Sequence, residues 1–180
     1  MEEKTIDSRR MYEGRLVNLR EDRVVLSSGR ETTREVVEHA NCVAIVAIDP
    51  EGEVVLVRQF RKPVGEVLLE IPAGGVDPGE EPLDSAHREL EEETGYVAGR
   101  MERVGGFYSS PGYSTEFLHL FVASELRKGE ARPDADEIIE VVSVPFERML
   151  SLILAGELRD AKSIAGLFTV AFRCKEEEKK

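Results

Sequence analysis

The sequence predicts an α+β fold, a mixed sheet sandwiched between helices as α/β/α layers and preceded by a small β meander. Three observations carry that prediction. Two β-branched runs, residues 41–48 (NCVAIVAI) and 53–60 (EVVLVRQF), flank the turn Asp49-Pro50-Glu51-Gly52, the pattern of a hairpin in a central sheet. Residues 82–94 open on Pro82 and Leu83, carry apolar residues at helical spacing and stop at Gly95. Two more apolar-periodic stretches, 146–155 and 160–172, follow a second group of strand-like runs. Strands, helix, strands and helices in that order define the class.

Each element has a local reason. Near the N-terminus, the apolar-bearing segments 14–19 and 24–26 lead into the turn-like Ser27-Ser28-Gly29-Arg30, and residues 32–37 resume an extended pattern. Residues 1–40 therefore form an N-terminal β region and residues 41–174 the main domain. The charged tail 175–180 is expected to be solvated and frayed. Residues 67–71 make a further strand that ends at Pro72. Gly74, Gly75, Pro78 and Gly79 then keep the chain irregular up to the helix. Strands are expected at 103–108, 116–123 and 138–144.

Bulk properties narrow the function. A chain of 180 residues fits one domain with a sizeable core, and 41% apolar with 33% charged residues is a soluble composition. No apolar run approaches the ~20 residues that span a bilayer, so no membrane partner is expected. The N-terminus lacks a secretory pattern, and Cys42 and Cys174 form no metal or redox spacing motif, which points to a reduced, cytoplasmic protein. A net charge of −12 disfavours nucleic acid as a partner, because the surface repels a phosphate backbone. A phosphate-bearing ligand must then be small, or be met by metal and local arginines.

Most of that charge sits in residues 74–96, GGVDPGEEPLDSAHRELEEETGY, where eight carboxylates face the single Arg88. On a helix, Glu89, Glu92 and Glu93 stand at i, i+3 and i+4 and share one face, while Leu83, Ala86 and Leu90 form a stripe toward the core. Like charges at these spacings destabilise an isolated helix by a few tenths of a kcal/mol per pair, roughly, and so call for a cation. Arg88 reaches Glu92 at i+4, but one guanidinium cannot neutralise three carboxylates. Hard carboxylate oxygens in such density suit Mg²⁺ or Mn²⁺. Taken alone, a run such as Glu91-Glu92-Glu93 is ordinarily a solvated helix face; the loop before it changes that weighing.

The segment resembles the Nudix box: Gly74, five residues, Glu80, seven residues, Arg88-Glu89-Leu90, one residue, Glu92-Glu93, one residue, Gly95 and an aliphatic position occupied here by Tyr96. The resemblance implies a Nudix fold and cleavage of a nucleoside diphosphate linked to another moiety. It also implies that Glu89, Glu92 and Glu93 ligate metal, with the carbonyl of Ala73 as a further ligand. Arg88 and Glu80 would orient those glutamates through hydrogen bonds.

Beyond the box, SSPGYSTE sets Pro111 fifteen residues after Tyr96, and this is similar to the ADP-ribose pyrophosphatases. Residues 12–39, 57–80 and 156–167 resemble that subfamily as well. The resemblance implies hydrolysis of ADP-ribose to AMP and ribose 5-phosphate, with Pro111 and Glu116 as site residues and Glu116 accepting hydrogen bonds from the terminal ribose. It also implies a homodimer in which Arg34 completes the partner's adenine pocket. Arg58 and Arg61 precede the site and suit phosphate oxygens as bidentate donors. Strand alternation puts them on opposite faces unless the strand ends before Arg61, which is the preferred phosphate contact. Tyr12 and Phe60 are candidate adenine clamps, although aromatics in such stretches are more often core.

In the subfamily a general base often comes from a stretch similar to PDEDEFIEV. The first glutamate of that pattern is Ala135 here, which leaves Glu137 as the candidate base, with Asp136 and Glu140 as alternates and two-metal activation assisted by Glu92 or Glu93 as another route. Two other functions stay open from sequence. One is a Nudix pyrophosphatase acting on ADP-sugars, NADH or dinucleoside polyphosphates; the other is a non-catalytic domain that senses a nucleotide.

Overall fold

The computed structural model describes residues 2–131 and 138–177, the side chains of 174–177 excepted. By internal contacts the chain divides into two compact units, Met1–Asn41 with Tyr108–Phe117, and Cys42–Phe107 with Leu118–Lys180.

The first unit is built on an antiparallel sheet of β1 (Glu3–Glu13), β2 (Val17–Leu26) and β3 (Glu31–His39) in that order. Charge holds much of it. Asp22 accepts hydrogen bonds from Ser8 and Arg20, and Glu38 pairs with both Arg10 and Arg20. Residues 108–117 join it through Val37, whose N–H donates to the Tyr113 carbonyl (2.7 Å) and whose carbonyl accepts from Thr115 N–H (3.0 Å). The meander expected from sequence is present, but it begins earlier: β1 precedes the first segment read as extended, and β2 runs unbroken where two segments were expected.

The second unit holds β4 (Cys42–Ile48), β5 (Glu53–Arg61), β6 (Glu66–Glu70), β7 (Ala73–Gly75), β8 (Tyr96–Tyr108), β9 (Phe117–Lys128) and β10 (Ile139–Pro145). Its helices are α1 (Pro82–Thr94), α2 (Met149–Leu154), which follows a 3-10 turn at Phe146–Arg148, and α3 (Ala161–Glu177). The sheet runs β10-β5-β4-β9-β8, with β4 and β9 parallel. Alternation along β4 sorts its side chains onto two faces, as period-2 geometry requires. Val43, Ile45 and Ala47 pack with Ala86 and Leu90 of α1, whereas Ala44 and Val46 pack with Met149, Leu152, Leu167 and Val170 of the other helices. This is the α/β/α sandwich that the sequence predicts.

One irregularity positions the site. β4 and β5 pair with each other only at Ala47↔Val55 and Ile48↔Val54; beyond that, β5 pairs with β6 and β4 with β7. The chain crosses this fork at Ile71–Pro72, where Ile45 N–H donates to the Pro72 carbonyl (2.9 Å). Ala73 and Gly74 are thereby delivered against α1 on a short strand that the sequence reading left irregular. Three other expectations are corrected. β8 starts at Tyr96 rather than 103, Leu83 is exposed rather than part of the buried stripe, and α3 extends through Glu177, into the segment read as a frayed tail. No helix among the described residues is long and apolar enough to cross a membrane.

Candidate active site

α1 is framed by backbone chemistry. Its N-cap, Glu81, is extended (φ −80°, ψ 140°) and makes no side-chain cap, while Pro82 sits where a missing N–H costs nothing. At the other end Gly95 adopts φ 71° and donates its N–H to the Glu91 carbonyl, the left-handed stop that favours glycine. Ala86 and Leu90 are fully buried beneath the helix. The acidic face is thus fixed in rotation.

Arg88 is the hub of that face. Its Nε and Nη2 donate to the two oxygens of Glu80 (3.0 and 2.9 Å) as a bidentate fork, its Nη1 donates to Glu89 (2.7 Å) and Glu92 (3.1 Å), and Nη2 also reaches the Gly75 carbonyl (3.0 Å). Glu80 further accepts from Ser85 Oγ (2.6 Å) and Asp77 N–H (3.2 Å). These donors, Arg88 foremost, hold the Glu80 carboxyl down at about 2, and Glu80 in turn raises Arg88 above its ordinary value. Glu80 and Arg88 are therefore locked to each other, and Arg88 aims at two of the three glutamates singled out above.

The third glutamate and the backbone of β7 complete the set. Glu93 is only 4% exposed and accepts a hydrogen bond from Ala73 N–H (3.1 Å). Glu89 lies so close to Gly74 that a Cβ there would stand 2.0 Å from its carboxylate carbon and 2.2 Å from each oxygen. Both carboxylates thus sit against adjacent residues of one strand, in a cradle that a side chain at Gly74 would fill. Glu80, Glu89 and Glu92 all draw on the Arg88 guanidinium, and with Glu93 on the same helix as Arg88 the cluster gathers four carboxylates of hard oxygens. That donor set fits a divalent cation of the Mg²⁺ and Mn²⁺ class.

Arg61 closes β5, so the strand does not end before it, and alternation separates it from the exposed Arg58. Its Nε and Nη2 donate to the two oxygens of the buried Glu70 (2.8 Å each), and it lies close enough to Glu93 and Asp160 for mutual attraction. Arg58 faces Glu140 across the β5–β10 ladder at 3.7 Å. Sequence reasoning assigned no role to Glu70, Asp160, Lys162 or Ser163, which join this network. Their only sequence signal was resemblance: Glu70 lies in the segment 57–80 and the other three in 156–167.

Of the remaining candidates, Arg34, Pro111, Glu116 and Tyr12 belong to the first unit. Arg34 is exposed on β3 and forks onto Glu3 (2.6 and 3.0 Å). Pro111 is exposed in the turn 110–113, and Glu116 is half-buried, 3.7 Å from His39 Nδ1. Tyr12 and Phe60 are both exposed, so neither is a core aromatic. Glu137, with Ala135 and Asp136, lies outside the described residues.

Comparison with known proteins gives the family and the fold. The family description NUDIX domain matches residues 38–167, and Nucleoside diphosphate sugar hydrolase N-terminal domain matches residues 3–37. An ADP-ribose pyrophosphatase of Bacillus subtilis (strain 168) is 42% identical over 165 residues, 91% of this chain and 89% of its own. A methanol dehydrogenase activator of Bacillus methanolicus is 41% identical with the same shares covered. A crystal structure of an ADP compounds hydrolase has a TM-score of 0.89 at 23% identity, covering 98% of this chain and 96% of that one, which shows the fold. With the box of residues 74–96 folded into a carboxylate cluster around Arg88, and with a family match over most of its length, the chain belongs to the Nudix hydrolases.

Proposed function

We propose that this chain hydrolyses the diphosphate of ADP-ribose, with one water consumed and AMP and ribose 5-phosphate released, in a Mg²⁺-dependent reaction. The observation that supports it most is the cluster in which Arg88 aligns Glu80, Glu89 and Glu92 while Glu89 and Glu93 rest against Gly74 and Ala73. The 42% identity to a named ADP-ribose pyrophosphatase supports the choice of substrate.

Glu89, Glu92, Glu93 and the Ala73 carbonyl would hold the ion. When bound, Mg²⁺, or Mn²⁺ of similar hardness, offsets phosphate charge and acidifies water. Arg88 and Glu80 keep the ligating carboxylates in register, since a geometry set by hydrogen bonds costs little reorganisation during reaction. Arg61 binds phosphate oxygens through the nitrogen that its fork onto Glu70 leaves over. Glu116 accepts hydrogen bonds from the terminal ribose, and Pro111 shapes the loop beside it. Glu137 takes the proton of the attacking water as the new P–O bond forms and the bridging P–O bond breaks. In a cytoplasmic homodimer, Arg34 completes the adenine pocket of the partner.

The test is a hydrolysis panel with ADP-ribose, ADP-glucose, GDP-mannose, NADH and a diadenosine polyphosphate, with Mg²⁺ and with chelator, in ¹⁸O-labelled water. ADP-ribose is expected to turn over fastest, and the label locates the attacked phosphorus. A different preferred substrate would move the assignment within the family. No hydrolysis of any of them would remove it.

A further inference from the structure

The first turn of α3 grips the strand that leads into the site, from ninety-two residues away in sequence. Lys162 Nζ pairs with Glu70, which is 1% exposed, and lies 3.0 Å from Asp160. Asp160 accepts hydrogen bonds from the N–H (2.9 Å) and Oγ (2.5 Å) of Ser163, and Ser163 Oγ accepts from the N–H of Ile71 (2.8 Å). Glu70 therefore serves two cations at once. One oxygen accepts from Arg61 Nε; the other accepts from Arg61 Nη2 and from Lys162.

Lys162 adds a second cation on the same buried carboxylate, and with Asp160 3.0 Å from Lys162 the four charges balance, so Lys162 acts by fixing the fork rather than by adding net charge; burial of Glu70 limits screening of these contacts by solvent. Burial by itself would raise the Glu70 carboxyl, but the Arg61 hydrogen bonds and the Lys162 charge outweigh it and hold the group ionised below its ordinary range.

We infer that Lys162 is a positioning residue for phosphate binding: by sharing the Glu70 carboxylate it fixes the Arg61 guanidinium in the orientation that leaves its remaining nitrogen to the substrate. This rests on the ADP-ribose reading above. Lys162 touches no reacting atom in this scheme and acts through Arg61.

The experiment compares full-length wild type, Lys162→Met and Lys162→Arg, each with and without Arg61→Gln. For Lys162→Met the KM for ADP-ribose rises about tenfold while kcat stays within about twofold, Lys162→Arg restores most of the loss, and the effect disappears in the Arg61→Gln background. An equal effect with and without Arg61, or a loss confined to kcat, would overturn the inference. A substrate-free readout separates it from the proposed function: the Nε–H of Arg61 in ¹⁵N spectra exchanges faster with water in Lys162→Met than in wild type. An unchanged exchange rate overturns the positioning role, whereas a wild type inactive on ADP-ribose overturns only the substrate assignment. Should Lys162→Met fail to fold, Lys162→Gln, which keeps a donor without the charge, supplies the same comparisons.

Discussion

Gly74→Ala separates a glycine needed by the site from one needed by the fold. An added Cβ would lie 2.0–2.2 Å from the Glu89 carboxylate atoms, against the ~3.5 Å at which such atoms rest in contact. Something must retreat by more than about 1 Å, and the carboxylate at the end of a flexible side chain yields before the backbone of β7. Gly74 is not among the residues with positive φ, so alanine fits its backbone and loses less unfolded-state entropy on folding. The fold should keep its stability, with the melting temperature within a few degrees of wild type. A displacement of that size at a ligating oxygen costs on the order of 10²-fold in rate. Steady-state kinetics with ADP-ribose should therefore show kcat/KM down about a hundredfold, recovered in part at high Mg²⁺. Gly75→Ala, where a Cβ meets nothing within 4 Å, should lose far less. A Gly74→Ala enzyme within threefold of wild type would show that Glu89 need not sit where the structure puts it. A collapse in melting temperature would make Gly74 a fold residue instead.

Glu93→Gln keeps an acceptor for the Ala73 N–H but removes a buried charge, so turnover should fall at least about 10³-fold with little change in melting temperature; near-wild-type rates would exclude Glu93 from the metal site. Arg88→Lys keeps the charge but loses the fork onto Glu80 and cannot hold Glu80, Glu89 and Glu92 together. It should destabilise by about 2 kcal/mol, discounted because Arg88 is partly exposed, and Mg²⁺ should raise its melting temperature more than that of wild type. Glu80 titrates at about 2 in the folded protein against 4.5 ordinarily, so its contribution is complete above pH 4.5 and lost as pH falls toward 2. Denaturant midpoints at pH 5, 4 and 3 should fall less steeply in Glu80→Gln than in wild type. Leu90→Ala empties a fully buried position under α1 and should cost about 2–5 kcal/mol, read from the same midpoints.

The carboxylate face of α1 was legible in sequence because helix geometry converts spacing into direction, and the box fixes both spacing and ends. Leu83 misled: in the first turn of α1 it stays exposed, whereas Ala86 and Leu90 further along the same stripe are fully buried. β1 was missed for a related reason. Its sequence EKTIDSRRMYE is exposed along its whole length and shows no burial alternation, so only its ladder with β2 defines it. β7 hid behind two glycines, and its role depends on the divergence of β4 from β5, a tertiary event with no local signature. The Arg61–Glu70–Lys162 network was equally invisible: Glu70 ends an ordinary strand, and Lys162 meets it only through the packing of α3.

The most direct test follows ADP-ribose by ³¹P NMR with the wild-type protein and Mg²⁺, then with chelator added partway through. The two diphosphate resonances should give way to equal amounts of AMP and ribose 5-phosphate, and the conversion should stop on chelation. Unchanged diphosphate resonances, or conversion that continues after the metal is removed, would contradict a metal-dependent hydrolase built on the Arg88 cluster.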